Sequence, residues 1–274
     1  MKIHGTTRVT GLFGYPVEHT LSPAMHNAAF DHLGLDYCYV PFLVKPDMLA
    51  DAVRAVRSLD LAGVNVTVPH KERVIQFLDA VNEEASFIGA VNTIQNVDGR
   101  LTGFNTDGRG FMESLAVAGI PVEGKSVLII GAGGASRAVS YYLSDKADRL
   151  SLFDIDAAKV ERLVADLATI RTNVSRSASI DNLEGFDIVI NATPLGLKET
   201  DPSPVDISLI RNTMTVCDLI YKKTPLLTDA SRKGCKTLDG LGMLLYQGVF
   251  AFEIWTGIKP PVDIMRNAIA EAKR

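Results

Sequence analysis

The 274-residue chain has no apolar run that approaches the roughly 20 residues needed to cross a bilayer. Its first ten residues lack the basic-then-apolar pattern of a secretory signal. No Lys/Arg-rich run occurs and the formal net charge is −4, so neither nucleic acid nor an anionic membrane is expected as a partner. The three cysteines, Cys38, Cys217 and Cys235, are far apart and odd in number. This excludes a disulfide framework and fits a reducing cytoplasm, the expected location. None of the five histidines forms an HExxH-type pair, and no metal is expected.

What is present is an ordinary globular composition, 47% hydrophobic and 22% charged, on a chain long enough for one large or two modest domains. Strand and helix signals alternate through the first hundred residues. Strands are predicted at 9–15, 37–43 and 62–68, and helices from Ser22 to Gly34 and over 46–58 and 71–80. Ser22 followed by Pro23 reads as an N-cap and a first-turn proline. Segments 91–97 and 100–104 flank Asp98-Gly99, a two-residue hairpin signal. Further strands are expected at 126–130, 187–191 and 215–219 and near 237–238, with helical spacing after Gly240. The pattern predicts an α/β protein of two domains. The first is a substrate domain with a mostly parallel sheet, residues 1–106 completed by C-terminal helices at 241–274. The second is a Rossmann-like dinucleotide-binding domain at 107–240.

The second domain carries the sharpest local signal. An apolar strand at 126–130 runs into Gly131-Ala132-Gly133-Gly134-Ala135-Ser136-Arg137, and a second strand ends at Asp154, 23 positions after Gly131. In a dinucleotide fold Gly131, Gly133, Gly134 and Ala135 let the backbone approach a pyrophosphate at a helix N-terminus. The acid accepts hydrogen bonds from the adenosine ribose. Ser136 stands where the strict pattern has its third glycine. Elsewhere, Asn65, Thr67 and Lys71 lie where a strand leaves its sheet, the end at which open α/β sheets bind ligands. Asn92-Thr93 and Asn105-Thr106-Asp107-Gly108 add amides, hydroxyls and a carboxylate. Thr20 and Ser22 place hydroxyls at a helix start. Taken singly, each has a plain reading: Lys71 on a helix surface, Asp107 as an N-cap, Asn92 in a turn, Thr20 and Ser22 as caps.

Together these segments resemble the shikimate dehydrogenase family over nearly the whole chain. The resemblance rests on HTLSPAMHN at 19–27, NVTVPHK at 65–71, GAVNT at 89–93 and NTDG at 105–108. GAGGASRA at 131–138, INATPLG at 190–196 and DGLGMLLYQ at 239–247 complete it in order. It implies reversible reduction of 3-dehydroshikimate to shikimate in chorismate and aromatic amino acid biosynthesis, by a monomer or homodimer. It implies Lys71 and Asp107 as the catalytic pair, and Thr20, Ser22 and Tyr221 on the substrate carboxylate. Asn65, Thr67, Asn92 and Gln247 would read the ring hydroxyls, and Thr193 and Gly240 would join the glycine loop around the cofactor. A quinate/shikimate dehydrogenase is the nearest alternative, and a non-catalytic binding module a remote one.

The cofactor is where the chain departs from its relatives. Many members use NADP, with an Asn-Arg-Thr run whose arginine pairs with the 2′-phosphate. Here Asp154-Ile155-Asp156 stands in its place. Two carboxylates replace a cation, and repulsion of a phosphate favours NAD over the family's usual NADP. Asp156 has a plainer reading as the cap of a helix from Ala157, and Arg137 or Lys159 offers another cation to a phosphate.

Overall fold

The computed structural model describes residues 2–198 and 200–273. The backbone divides into two compact units, Met1–Thr106 with Gln247–Arg274, and Asp107–Tyr246.

The first unit is built on strands β1 (Arg8–Gly14), β2 (Tyr37–Leu43), β3 (Gly63–Val66), β4 (Ala80–Val81), β5 (Thr93–Val97) and β6 (Arg100–Phe104). Their order in the sheet is β2-β1-β3-β5-β6-β4. β1 pairs in parallel with β2 and β3, and β4 with β6, whereas β5 runs antiparallel to both β3 and β6. The antiparallel element is the expected hairpin. Asp98 and Gly99 both take positive φ, 51° and 82°, as a two-residue turn of that hand requires. Around the sheet lie α1 (Ser22–His32), α2 (Leu49–Ser58) and α3 (Glu83–Ile88). Phe13, Val53, Val56, Val64, Val66, Ile94 and Leu101 pack between sheet and helices.

Two local expectations are corrected, and one short helix had no sequence expectation. Residues 71–80 do not form an α-helix: a 3₁₀ turn spans Arg73–Phe77 and β4 follows. The Asp79 and Asn82 N–H groups donate to Leu101 and Gly103 carbonyls, so sheet pairing takes the backbone that a longer helix would have used. The α3 helix, unmarked by periodicity because it is so short, is set by its ends. Asn82 accepts from the Ala85 N–H at 2.9 Å, and Gly89 closes it at φ 71°. Ser22 is the first residue of α1 rather than its cap; Leu21 precedes it, and Thr20 Oγ1 accepts the Ser22 N–H at 3.3 Å.

The second unit holds α4 (Asp107–Val117), β7 (Ser126–Ile130), α5 (Gly134–Lys146), β8 (Arg149–Phe153), α6 (Ala157–Ala168) and β9 (Val174–Arg176). It continues with β10 (Ile188–Asn191), β11 (Thr215–Asp218), α7 (Pro225–Arg232) and β12 (Lys236–Leu238). The sheet order is β12-β11-β10-β7-β8-β9, and every pairing is parallel. This is the doubly wound arrangement, with its switch point between β7 and β10. Such strands are covered on both faces, and Leu128, Ile130, Val189 and Val216 are buried accordingly. β9 and α7 were not marked in the sequence: the strand is three largely exposed residues, and the helix announces itself only by Thr224, whose Oγ1 accepts the Leu227 N–H ahead of Pro225. Two further helices are α8 (Leu241–Thr256), which begins in the second unit and ends in the first, and α9 (Val262–Ala272). Among the described residues, no helix is long and apolar enough to cross a membrane, and no group of three His, Cys, Asp or Glu side chains is placed to hold a metal ion.

The core of the first unit contains an imidazole. His26 on α1 is fully buried, stacked 4.5 Å from Tyr39 and tilted 5.3 Å from Trp255, and neither ring nitrogen has a side-chain or backbone partner. Burial lowers its pKa from the ordinary 6.5 to about 3. The folded state therefore excludes a proton that the unfolded chain accepts, so this contribution to stability is full above pH 6.5 and is lost as pH falls toward 3. In urea unfolding across pH 7 to 4, His26→Leu should lose stability with a slope shallower by about one proton than the parent. Parallel slopes would refute this account of His26.

Candidate active site

The carboxyl ends of β3 and β5's neighbours carry a buried polar network in the first unit. Asn65, at the end of β3, donates through Nδ2 to the Asn92 carbonyl at 3.2 Å and to Thr93 Oγ1 at 3.0 Å. Its Oδ1 accepts the Tyr39 hydroxyl at 2.8 Å. Asn92 Oδ1 accepts from Thr93 Oγ1 at 3.0 Å and the Thr106 N–H at 2.9 Å, while its Nδ2 donates to Thr106 Oγ1 at 3.0 Å. All five residues are buried, so each bond replaces water that the site excludes.

The segment that ends in Lys71 is fixed by its neighbours. Thr67 N–H donates to the Phe13 carbonyl, His70 N–H to the Thr67 carbonyl, and the buried His70 Nε2 meets the Val44 carbonyl at 2.7 Å. The Lys71 carbonyl accepts the Val91 N–H at 2.8 Å, one residue before Asn92. Backbone pairing thus ties NVTVPHK to GAVNT, and NTDG joins through Thr106. Asp107, the next residue, opens α4 and is buried.

At the start of α1, Ser22 is buried and its side chain hydrogen-bonds the Tyr39 phenol. Burial raises the Tyr39 pKa, and that bond works against the rise. One hydroxyl therefore connects Ser22 to Asn65. Tyr39 escaped the sequence reading, because a tyrosine inside the apolar run of β2 looks like packing; only the need of a buried hydroxyl for a partner marks it. Gln247 is half-buried on α8. Ser22, Asn65 and Asn92 are thus joined in one network with Tyr39, and Thr20, Thr67, Lys71 and Gln247 belong to the same unit. Asp107 and Tyr221, the latter 54% exposed, belong to the second unit.

That unit holds the glycine loop. Gly131 takes φ 110°, and a Cβ there would lie 2.9 Å from the Ala192 backbone across the switch point, so glycine is required twice over. Gly133 and Gly134 are exposed, and nothing lies within 4 Å of a Cβ at either. The first turn of α5, with exposed Ala135, is thus open to a ligand, and the cradle fits a dinucleotide pyrophosphate. Asp154 closes the loop: its Oδ2 accepts the Ala132 N–H at 2.7 Å and its Oδ1 the Asp156 N–H at 2.9 Å. Ile155 is 97% exposed beside it. Asp156 caps α6, accepting the Lys159 N–H at 3.3 Å, as its plainer reading anticipated.

Beyond β10, Asn191 Oδ1 accepts both the Thr193 N–H at 3.0 Å and its hydroxyl at 2.6 Å. Asn191 Nδ2 donates to the fully buried Asp218 at 3.1 Å. Asp218 also accepts from the Ile220 N–H and from Thr224 Oγ1 at 2.8 Å. Gly240 N–H donates to the Ile220 carbonyl. One carboxylate thereby fixes the loops that carry Thr193, Tyr221 and Gly240. Burial raises its pKa, and the three hydrogen bonds oppose the rise.

Known proteins share this fold over nearly the whole chain. A curated shikimate dehydrogenase (NADP(+)) of Desulforamulus reducens is 49% identical over 280 residues, covering 98% of this chain and 96% of its own. The chain belongs to the shikimate dehydrogenase family. The family's profiles match as the shikimate dehydrogenase substrate binding domain at 12–94 and the shikimate 5′-dehydrogenase C-terminal domain at 240–270. A shikimate dehydrogenase crystallised with NADP+ is 40% identical with a TM-score of 0.93, covering 98% of this chain and 97% of that one. The shikimate 5-dehydrogenase of Listeria monocytogenes, solved in complex with shikimate and NAD, is 38% identical with a TM-score of 0.91, covering 97% and 98%. As a shikimate dehydrogenase relative, the chain is a nicotinamide-dependent oxidoreductase that acts on a CH–OH group.

Replacing Asp218 tests the loop network. Asp218→Ala should cost about 2–4 kcal/mol in urea unfolding, because it strands buried donors from Asn191, Thr224 and Ile220. Asp218→Asn, which keeps an acceptor, should cost less; equal losses would show that the network does not depend on these bonds.

Proposed function

We propose that this chain catalyses the reversible reduction of 3-dehydroshikimate to shikimate, with Lys71 as the acid/base and Asp107 as its partner carboxylate. The carrying observation is the network of Asn65, Asn92, Thr93 and Thr106, which sets polar side chains at the sheet end beside Lys71. A small polyhydroxylated carboxylate offers little apolar area, so its recognition must come from such placed donors and acceptors. Thr20, Ser22 and Tyr221 take the carboxylate; Asn65, Thr67, Asn92 and Gln247 take the ring hydroxyls.

Gly131, Gly133, Gly134, Ala135, Thr193 and Gly240 would surround the cofactor, with Asp154 on its ribose. When bound, a nicotinamide cofactor would supply the hydride, two electrons and a proton, that the ketone carbon receives. The carbonyl oxygen then carries developing negative charge, which the Lys71 ammonium stabilises and neutralises by giving up its proton. In the oxidative direction neutral Lys71 takes the hydroxyl proton. Asp107 favours the lysine geometry without taking part in the proton balance.

NAD is the favoured cofactor in this reading, although the Desulforamulus relative is named for NADP(+). Asp154 and Asp156 occupy the ribose edge, and Ile155 puts no cation there. The Listeria relative, solved in complex with shikimate and NAD, supports this reading. With Asp156 engaged as the α6 cap, a 2′-phosphate would face chiefly the Asp154 carboxylate.

Two measurements decide these points. Lys71→Ala should lower kcat by at least about 100-fold with the shikimate KM within about threefold; an unchanged turnover number would remove Lys71 from the chemistry. For the parent protein, kcat/KM should be about tenfold or more higher with NADH than with NADPH, and higher with shikimate than with quinate. A clear NADPH preference would overturn the cofactor reading.

A further inference from the structure

The geometry points to Asp166 as a residue that sets the choice between the two dinucleotides, and we propose that it acts by holding Arg137. The inference rests on the reading that the Asp154 edge receives the adenosine ribose. Arg137 is the fourth residue of α5, and its N–H donates to the Gly133 carbonyl at 2.9 Å. The same loop presents the Ala132 N–H to Asp154. Arg137 is therefore anchored one helical turn from the loop that meets the ribose edge. A guanidinium on a long, flexible stem in that place is the group a 2′-phosphate recruits, because its fork of donors matches phosphate oxygens.

In this chain the guanidinium is engaged elsewhere. Arg137 Nη2 lies 2.7 Å from Asp166 Oδ2 on α6, with the arginine side chain 26% exposed and the aspartate 48%. The other cation near this edge is engaged as well: Lys159 Nζ lies 3.6 Å from Asp156 Oδ2. The two pairs differ in a useful way. Asp156 also caps α6, so replacing it disturbs the helix, whereas Asp166 lies near the helix's far end and can be changed with little risk to the fold. An ion pair this exposed contributes little to stability but fixes where the guanidinium points. Discrimination against a phosphate is then twofold. Asp154 repels it, and Asp166 occupies the arginine that would offset that repulsion.

The test is steady-state kinetics with NADH and NADPH, and calorimetric binding of 2′,5′-ADP and 5′-ADP, on parent, Asp166→Asn, Asp154→Asn and the double variant. Asp166→Asn should raise kcat/KM for NADPH about fivefold and leave NADH within about twofold. The gain should persist in the Asp154→Asn background, where the carboxylate that faces a 2′-phosphate is neutralised. In Asp166→Asn, binding of 2′,5′-ADP should tighten in step while that of 5′-ADP does not change. Adding Arg137→Ala should abolish each gain. Asp166→Ala carries the same expectations should the amide variant fold poorly. An unchanged NADPH/NADH ratio in both backgrounds, or a gain that survives Arg137→Ala, overturns the proposal. A parent protein that already prefers NADPH overturns the NAD reading and this proposal with it, and the parent ratio alone reports that outcome.

Discussion

An asparagine side chain withdrawn from water needs partners for two N–H donors and a carbonyl, and that demand organises both units. In the first, Asn65 and Asn92 can be buried only because Tyr39, Thr93 and Thr106 complete their hydrogen bonds. In the second, Asn191 plays the same part with Thr193 and Asp218. In each case the residues that satisfy the amide belong to different strands or loops. The energetic penalty for leaving any one unpaired thus becomes a geometric link between segments distant in sequence. Rigid placement of polar groups at the sheet ends is a by-product of keeping those ends dry.

Electrostatics refine what the hydrogen bonds build. Asp154 is held by two backbone N–H groups, so its orientation does not depend on a bound ligand. A fixed carboxylate is a stronger discriminator than a mobile one, because it cannot swing away to relieve repulsion. The same logic makes paired arginines and lysines informative. A cation counts toward recognition only after subtracting the carboxylate already beside it, which composition alone never shows.

Much of this was legible in the residues. The second unit was the clearest, since continuous apolar strands, the glycine turn at Gly131 and the acid at Asp154 each have one structural meaning in that order. The hairpin at Asp98-Gly99 was equally direct, because few residue pairs accept two positive φ values. Legibility failed where tertiary pairing overrode local preference, as at Arg73–Phe77, where the edge strand claimed the backbone. It failed again for Tyr39, whose hydroxyl matters through Asn65, 26 residues further along the chain, and Ser22 on α1. The polar residues of the site were readable as a set through the family's motifs, yet nothing local distinguished Ser22 as network member from Ser22 as helix cap.

The helix α8 has a consequence for anyone who would exchange parts of this protein. The second unit enters the chain after Thr106 and leaves it at Tyr246, in the middle of an unbroken helix. A graft of a foreign nucleotide-binding unit would therefore need one junction at a strand-to-helix turn, which tolerates slack, and one inside a helix, which tolerates none. Each residue gained or lost at that second seam turns the remaining helix by about 100°. Gln247, the first residue beyond it, would leave its present face on the first error, so modular exchange here is a problem of phase rather than of length.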